Sequence, residues 1–210
     1  MKTMSMLPIW LRLRRSAAAL RADCNGIAAV EFAVIVPIML VMFFGLVEFS
    51  SGVAVDRKVT LVARTLSDLT SQALLTVDDT YLKNVFTASI AILTPYSATP
   101  TKATLSEIYV DSNQIAKIQW SKAATIASGA AQATLATSSR NAGDTVTLPS
   151  ALLVKQTYLI LSEVSYLYTP AVGYVMGKAG VTLSDVAYTR PRQVPCVVYN
   201  NTPASNCPTP

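Results

Sequence analysis

The sequence contains no histidine among its 210 residues. Histidine is the commonest general base and a frequent zinc ligand, so its absence excludes the usual catalytic triads and most zinc sites. No spacing of serine with lysine, or of two carboxylates, assembles a different catalytic site, and Lys155 and Glu163 are isolated candidates. We therefore expect a protein that is not an enzyme and that binds no cofactor, metal or small-molecule substrate.

Acidic residues are scarce at the N-terminus, where Asp23 is the only one in the first 26 residues. Five of the seventeen basic residues precede the same point, namely Lys2, Arg12, Arg14, Arg15 and Arg21. The rest of the chain is nearly balanced in charge, and no basic face with interleaved aromatic residues can be traced in it. We therefore expect no nucleic acid partner.

Charge is almost absent from Ile27 to Val47, where Glu31 is the only ionisable side chain. As a helix, 21 residues span roughly 31 Å, which matches the hydrocarbon thickness of a bilayer. Basic residues remain on the cytoplasmic side, so the N-terminus is predicted inside and the chain after Glu48 outside. The sequence thus predicts a cytoplasmic leader (1–26), a single inner-membrane helix (27–49) and a periplasmic domain (50–210).

The apolar stretch has two alternative interpretations. It could be a secretory signal peptide that is cut near Ser50 to Ala54, although the uncharged run is long for a signal core of roughly 7 to 15 residues. It could also be an uncleaved anchor. Each alternative predicts a different mature N-terminus.

A glycine stands five residues before the lone membrane glutamate, in the order Gly26, Ile27, three residues, Glu31, Phe32. This spacing is typical of a prepilin peptidase site. Cleavage after Gly26 would make Ile27 a free α-ammonium one helical turn from the Glu31 carboxylate, so the two charges could neutralise each other or pair with those of a neighbouring subunit. Alternatively, Glu31 only lies at the membrane edge, with its carboxylate toward water and Arg21.

The string GIAAVEFAVIVPIMLVMFFGLVEFSSGVAVDRKVTLVART, residues 26–65, resembles the N-terminal signature of TadE-like pseudopilins of tight-adherence (Flp, type IVb) pilus systems. The resemblance implies cleavage by an aspartate-type prepilin peptidase and a minor-pilin role in assembling an adhesion pilus. It also implies three kinds of partner: prepilin peptidase, other pilins or pseudopilins, and an inner-membrane assembly platform. The resemblance also allows the protein to be incorporated into an extracellular pilus.

Pro37 lies inside the membrane segment. Proline removes the hydrogen bond to the carbonyl four residues earlier, that of Ala33, and favours a kink that membrane helices tolerate. The kink is interpreted equally well as a point of bending during assembly or as a harmless distortion.

The remaining sequence predicts an α+β domain. Apolar residues recur at three- and four-residue steps from Val55 to Leu69 and from Leu82 to Leu93, so the membrane helix should continue as an amphipathic helix and a second helix should follow, closed by Pro95. Strand patterns cover residues 104–110, 115–120, 156–168 and 181–188, the first two joined as a hairpin. Residues 121–148 are rich in small side chains and predict a long exposed loop or an edge insertion. The expected fold is pilin-like, with helices packed on a small antiparallel sheet.

Two features remain near the C-terminus. Cys196 and Cys207 would share an oxidising compartment, so a disulfide is predicted between them. The tyrosines could be buried strand residues or an adhesive surface; they are Tyr158, Tyr166, Tyr168, Tyr174, Tyr188 and Tyr199. The second interpretation belongs to a rival function, a membrane-anchored periplasmic binding or sensing module that prepilin peptidase does not process.

Overall fold

The computed structural model describes residues 14, 16, 18, 19, 26–74, 76–170 and 180–200. Within these residues the structure combines one long apolar helix, a second short helix and a small antiparallel sheet. The predicted α+β class is therefore confirmed. The structure separates into two compact units, Met1–Val47 and Glu48–Pro210.

The first helix, α1, extends from Ile27 to Ser71. Its second half is amphipathic, because apolar residues at three- and four-residue steps form one buried face while the charged residues lie elsewhere. The buried apolar residues of this face are Val55, Val59, Val62, Ala63 and Leu66. The predicted continuation of the membrane helix as an amphipathic helix is confirmed.

The second helix, α2, spans Asp79–Ile90 and is followed by a 3-10 turn at Ala91–Leu93. Asp78 caps its N-terminus, because its side chain accepts a hydrogen bond from the backbone nitrogen of Tyr81 at 2.7 Å. The cap satisfies one of the amide groups that have no partner in the first turn. The second helix is thus confirmed, with Pro95 just beyond its end.

The main sheet has five strands in the order β4-β3-β2-β5-β6, and all neighbouring strands are antiparallel. Its strands are β2 (Thr101–Val110), β3 (Ala116–Thr125), β4 (Thr134–Ala136), β5 (Thr157–Tyr168) and β6 (Val181–Thr189). A second sheet pairs two short strands in parallel, β1 (Thr76–Val77) and β7 (Val198–Tyr199). The predicted hairpin is the β2–β3 pair, and the four predicted strands are confirmed.

Of the two alternatives for residues 121–148, the long exposed loop is wrong in part, whereas the edge insertion agrees with the position of β4 at the edge of the sheet. Residues 121–125 extend β3, residues 134–136 form β4, and Val146 and Leu148 are buried. Further pairing continues along β3, where the nitrogen of Val146 donates to the oxygen of Ala116 at 2.9 Å. The small side chains that suggested a loop instead allow close packing, since Ala124 is fully buried on the sheet face that α1 and α2 cover.

The larger hydrophobic core lies between the helices and one face of the sheet. Two hydroxyl contacts join α1 to this face. Ser162 donates to the carbonyl of Ala63 at 2.6 Å, and the hydroxyls of Ser67 and Thr189 lie 3.0 Å apart. A smaller apolar cluster on the other face is centred on Ile108, Ile118, Leu159 and Leu161. The sheet is thus covered on one face by the helices and at one end of the other face by the 146–153 segment.

Candidate assembly segment and its surroundings

The N-terminal half of α1 has the length and composition of a membrane span. In the part of the chain that the structure describes, it is the one helix that meets this test, and none of its most apolar window is buried. Large apolar side chains are exposed along it, among them Phe32, Met42 and Leu46. In water this surface would be unfavourable by about 25 cal/mol per Å² of apolar area. An N-terminal single-pass anchor accounts for it.

The predicted processing residues lie at the start of this helix. Gly26 immediately precedes α1, and Ile27 is its first residue. Glu31 follows four residues later, so Ile27 and Glu31 share a helix face. Both side chains, and that of Phe32, are exposed. The structure therefore leaves the predicted cleavage point accessible and the carboxylate one turn from it.

Pro37 lies within α1, whose helical assignment continues unbroken from Ile27 to Ser71. Proline has no amide hydrogen, so residue 37 donates no hydrogen bond within the helix. The functional role of a bend at Pro37 stays a prediction.

A buried carboxylate marks the place where α1 enters the globular unit. Glu48 is 4% exposed, and the hydroxyl of Tyr168 donates to its Oε2 atom at 3.0 Å. The Tyr168 ring lies over Gly52, where a Cβ would be 3.7 Å from its Cε1 atom, and Ser51 hydrogen-bonds the same hydroxyl. Burial, followed by the bond to Glu48, raises the pKa of Tyr168. Strand periodicity placed Tyr168 in β5, but nothing in the sequence pairs it with Glu48.

A second buried carboxylate holds the C-terminal segment against the sheet. Glu107 is fully buried and accepts hydrogen bonds from the backbone nitrogen of Val197 at 2.5 Å and from Nε1 of Trp120 at 3.1 Å. The same indole nitrogen donates to the carbonyl of Val197 at 2.7 Å. Burial raises the pKa of Glu107 to about 8, although both hydrogen bonds oppose the shift. This carboxyl group was not identified from the sequence, because an acidic residue in a strand pattern usually faces solvent.

The tyrosines do not form one surface. Tyr158, Tyr166 and Tyr168 are buried in the sheet, whereas Tyr188 and Tyr199 are partly buried. Tyr174 lies outside the described residues. The structure thus favours a packing role for the three buried tyrosines over an adhesive one.

A cleft of about 980 Å³ lies beside β3, between this strand and residues 135–143. Lys122 and Tyr199 form part of its wall, with the ammonium 4.5 Å from the ring centroid. Arg140, also in the wall, is paired with Glu163, one of the two isolated catalytic candidates. The cleft is polar and open, and among the described residues no group of three His, Cys, Asp or Glu side chains could hold a metal ion.

Of the two cysteines in the predicted disulfide, only Cys196 lies in the part of the chain that the structure describes. Cys196 is buried beside Tyr158 and Val198, while Cys207 lies outside the described residues. The pairing of Cys196 with Cys207 stays a prediction. Most of the predicted leader, apart from residues 14, 16, 18, 19 and 26, is also outside the described part of the chain.

Comparison with known proteins identifies a family for the N-terminal segment. Residues 26–67 match the model of a family described as TadE-like protein. No curated protein and no solved structure matches the chain. The matched residues contain the entire apolar half of α1, the Gly26 to Glu31 spacing and the first turns that pack on the sheet. Over residues 26–67 the chain is therefore similar to the TadE-like family.

Proposed function

We propose that this protein is a minor pseudopilin of a tight-adherence pilus system, cut by prepilin peptidase between Gly26 and Ile27 and needed for pilus assembly and surface attachment. The observation that carries the proposal is the position of Glu31 on the exposed N-terminal half of α1, which begins at Ile27 and has no other charged residue as far as Val47. A plain anchor has no need of a carboxylate within its apolar segment, because an unpaired charge inside a bilayer costs a few kcal/mol.

Cleavage would supply the missing partner charge. A new α-ammonium at Ile27 lies one turn from Glu31, and the same pairing is possible between the amine of one subunit and the carboxylate of the next. The carboxylate then selects one axial position for a helix that otherwise offers only apolar contacts. In this proposal the N-terminus is cytoplasmic before processing and the sheet domain is periplasmic.

The proposed partners follow from this role. Prepilin peptidase acts on the leader. Other pilins or pseudopilins pack against the apolar half of α1. The inner-membrane platform binds the helix during assembly. The exposed large side chains of this half of α1 support lateral packing.

The first experiment is intact mass measurement and N-terminal sequencing of the membrane-extracted protein from cells with and without their prepilin peptidase. We expect a start at Ile27 that depends on the peptidase. A start at Met1 in both strains would contradict the proposal and favour the anchored binding module, for which the cleft beside β3 is the candidate working surface. A start near Val53 would indicate a secreted protein.

Substitution of Glu31 tests the role of its charge. Glu31→Ala and the isosteric Glu31→Gln should both insert into the membrane and be processed, but should reduce the number of pili, because neither provides a counter-charge for the amine of Ile27. Val34→Leu, which keeps an exposed apolar side chain on the same half of α1, serves as the matched control. Normal piliation in Glu31→Gln would show that the charge is not required.

A further inference from the structure

Glu48 is the most N-terminal buried residue of α1 in the described structure, and the compact globular unit begins at the same residue. Before it, the side chains of α1 are exposed or partly exposed. After it, the helix face that contains Val55 and Val59 is fully buried. Glu48 is therefore the first residue of α1 that is buried against the sheet domain.

The contact at this point is polar and includes a carboxylate, whereas the next buried residues along α1, Val55, Val59 and Val62, are apolar. Glu48, Ser51 and Gly52 occupy one turn of α1, and the Tyr168 side chain lies against that turn with its hydroxyl bonded to Glu48. We call these four residues the latch. A Cβ at residue 52 would lie 3.7 Å from the Tyr168 ring, an ordinary van der Waals contact, so the ring packs close to the helix backbone.

A polar latch restricts the helix more than an apolar contact does. Apolar faces tolerate small slides, but a hydrogen bond weakens steeply when donor and acceptor move beyond about 3.2 Å. A shift by one residue moves a helical side chain by about 1.5 Å along the axis and rotates it by roughly 100°. Such a shift would leave the Glu48 carboxylate buried without the Tyr168 donor, which is strongly unfavourable.

We infer that the latch fixes both the rotation and the axial position at which α1 is attached to the sheet, and that Glu48 and Tyr168 are positioning residues for assembly. The inference rests on the proposed function, in which the assembly machinery handles the helix. If α1 could slide along the sheet, moving the helix would not bring the sheet domain to a fixed position. With the latch in place, α1 and the sheet move as one unit.

Hydrogen exchange of the full-length protein in detergent micelles tests the latch itself. Tyr168→Phe removes only the donor hydroxyl, and Glu48→Leu removes the acceptor, whereas Glu48→Gln keeps an acceptor oxygen in the same place. The matched control is Tyr166→Phe, on the same strand and the same sheet face, whose hydroxyl makes no side-chain hydrogen bond among the described residues. The readout is amide exchange in peptides covering residues 48–55, with residues 59–66 as an internal reference.

We expect exchange over residues 48–55 to be on the order of ten-fold faster in Tyr168→Phe and Glu48→Leu, because loss of the hydrogen bond between residues 48 and 168 permits local opening. Glu48→Gln and Tyr166→Phe should remain close to the parent protein. Unchanged exchange in Tyr168→Phe, or an equal increase in Tyr166→Phe, would overturn the latch.

Piliation in the same variants tests the positioning role. Tyr168→Phe and Glu48→Leu should be processed at Ile27 but should form fewer pili, with Glu48→Gln restoring the parent number. Faster exchange combined with normal piliation would overturn the positioning role. If the proposed function is wrong, the parent protein will show no peptidase-dependent processing. That result does not affect the interpretation of the hydrogen exchange experiment.

Discussion

Neutralising the buried carboxyl of Glu107 should change how the stability of the fold depends on pH. Burial raises the pKa of Glu107 from 4.5 to about 8. Between these values the folded protein binds more protons than the unfolded chain, so the free energy of unfolding falls as the pH rises. The contribution is fully present below pH 4.5 and is lost as the pH approaches 8. At 1.36 kcal/mol per pKa unit, the whole change is about 4 to 5 kcal/mol.

Glu107→Gln removes this titration without changing the size of the side chain. The amide has one acceptor oxygen for the two N–H donors, those of Val197 and Trp120, so the variant should be less stable than the parent by about 1 to 3 kcal/mol at pH 5. The parent alone loses stability as the pH rises. We therefore expect the difference to shrink with pH and to reverse below pH 8, because the roughly 3 to 4 kcal/mol that the parent loses between pH 5 and pH 8 exceeds the cost of the substitution.

Denaturant unfolding of the full-length protein in micelles, followed by tryptophan fluorescence between pH 5 and pH 9, measures this effect. The chain has two tryptophans, so a Trp10→Phe background leaves Trp120, which contacts Glu107, as the reporter. Glu163→Gln is the control, because it breaks a partly buried pairing with Arg140 and should lower stability without removing the slope. A parent protein with no loss of stability over this range, or an unchanged slope in Glu107→Gln, would refute the reasoning.

Two further substitutions test local structure. Gly180→Ala should destabilise the fold by about 1 to 3 kcal/mol, because residue 180 has φ +73° and a Cβ would lie 2.8 Å from the carbonyl of Tyr168; Gly129→Ala, at φ +75° in open space, should have a smaller effect in the same thermal or denaturant unfolding. Asp78→Ala should lower stability by about 1 kcal/mol through loss of the α2 cap, whereas an unchanged unfolding midpoint would show that the cap bond contributes nothing.

The elements that the sequence predicts correctly are those with long, regular patterns. The apolar stretch from Ile27 and the periodic residues that follow predict α1, and the long alternating or apolar segments predict the strands of the main sheet. The TadE-like segment is recognisable for the same reason, because its residues are contiguous. Local patterns therefore predict the class of fold and the candidate assembly segment.

The features that the sequence does not predict depend on distant residues. β1 and β7 have two residues each and pair across more than a hundred positions, too short and too remote to leave a pattern. Glu48 and Tyr168 are 120 positions apart. The sequence around each of them predicts only a surface acid and an ordinary strand tyrosine. Residues 121–136 contain small side chains, whose strand character comes from the neighbouring β3 and β2 rather than from their own propensity.

The attachment of the C-terminal segment determines when the domain can finish folding. Val197 supplies main-chain partners to Glu107 and Trp120, and β7 completes the pair with β1. These bonds join residues separated by 77 and 90 positions, so during synthesis the Glu107 carboxyl and the Trp120 indole lack these partners until Val197 has been made. Closing such distant contacts is slow. The sheet domain should therefore stay open, and accessible to chaperones or proteases, until synthesis has passed Tyr199.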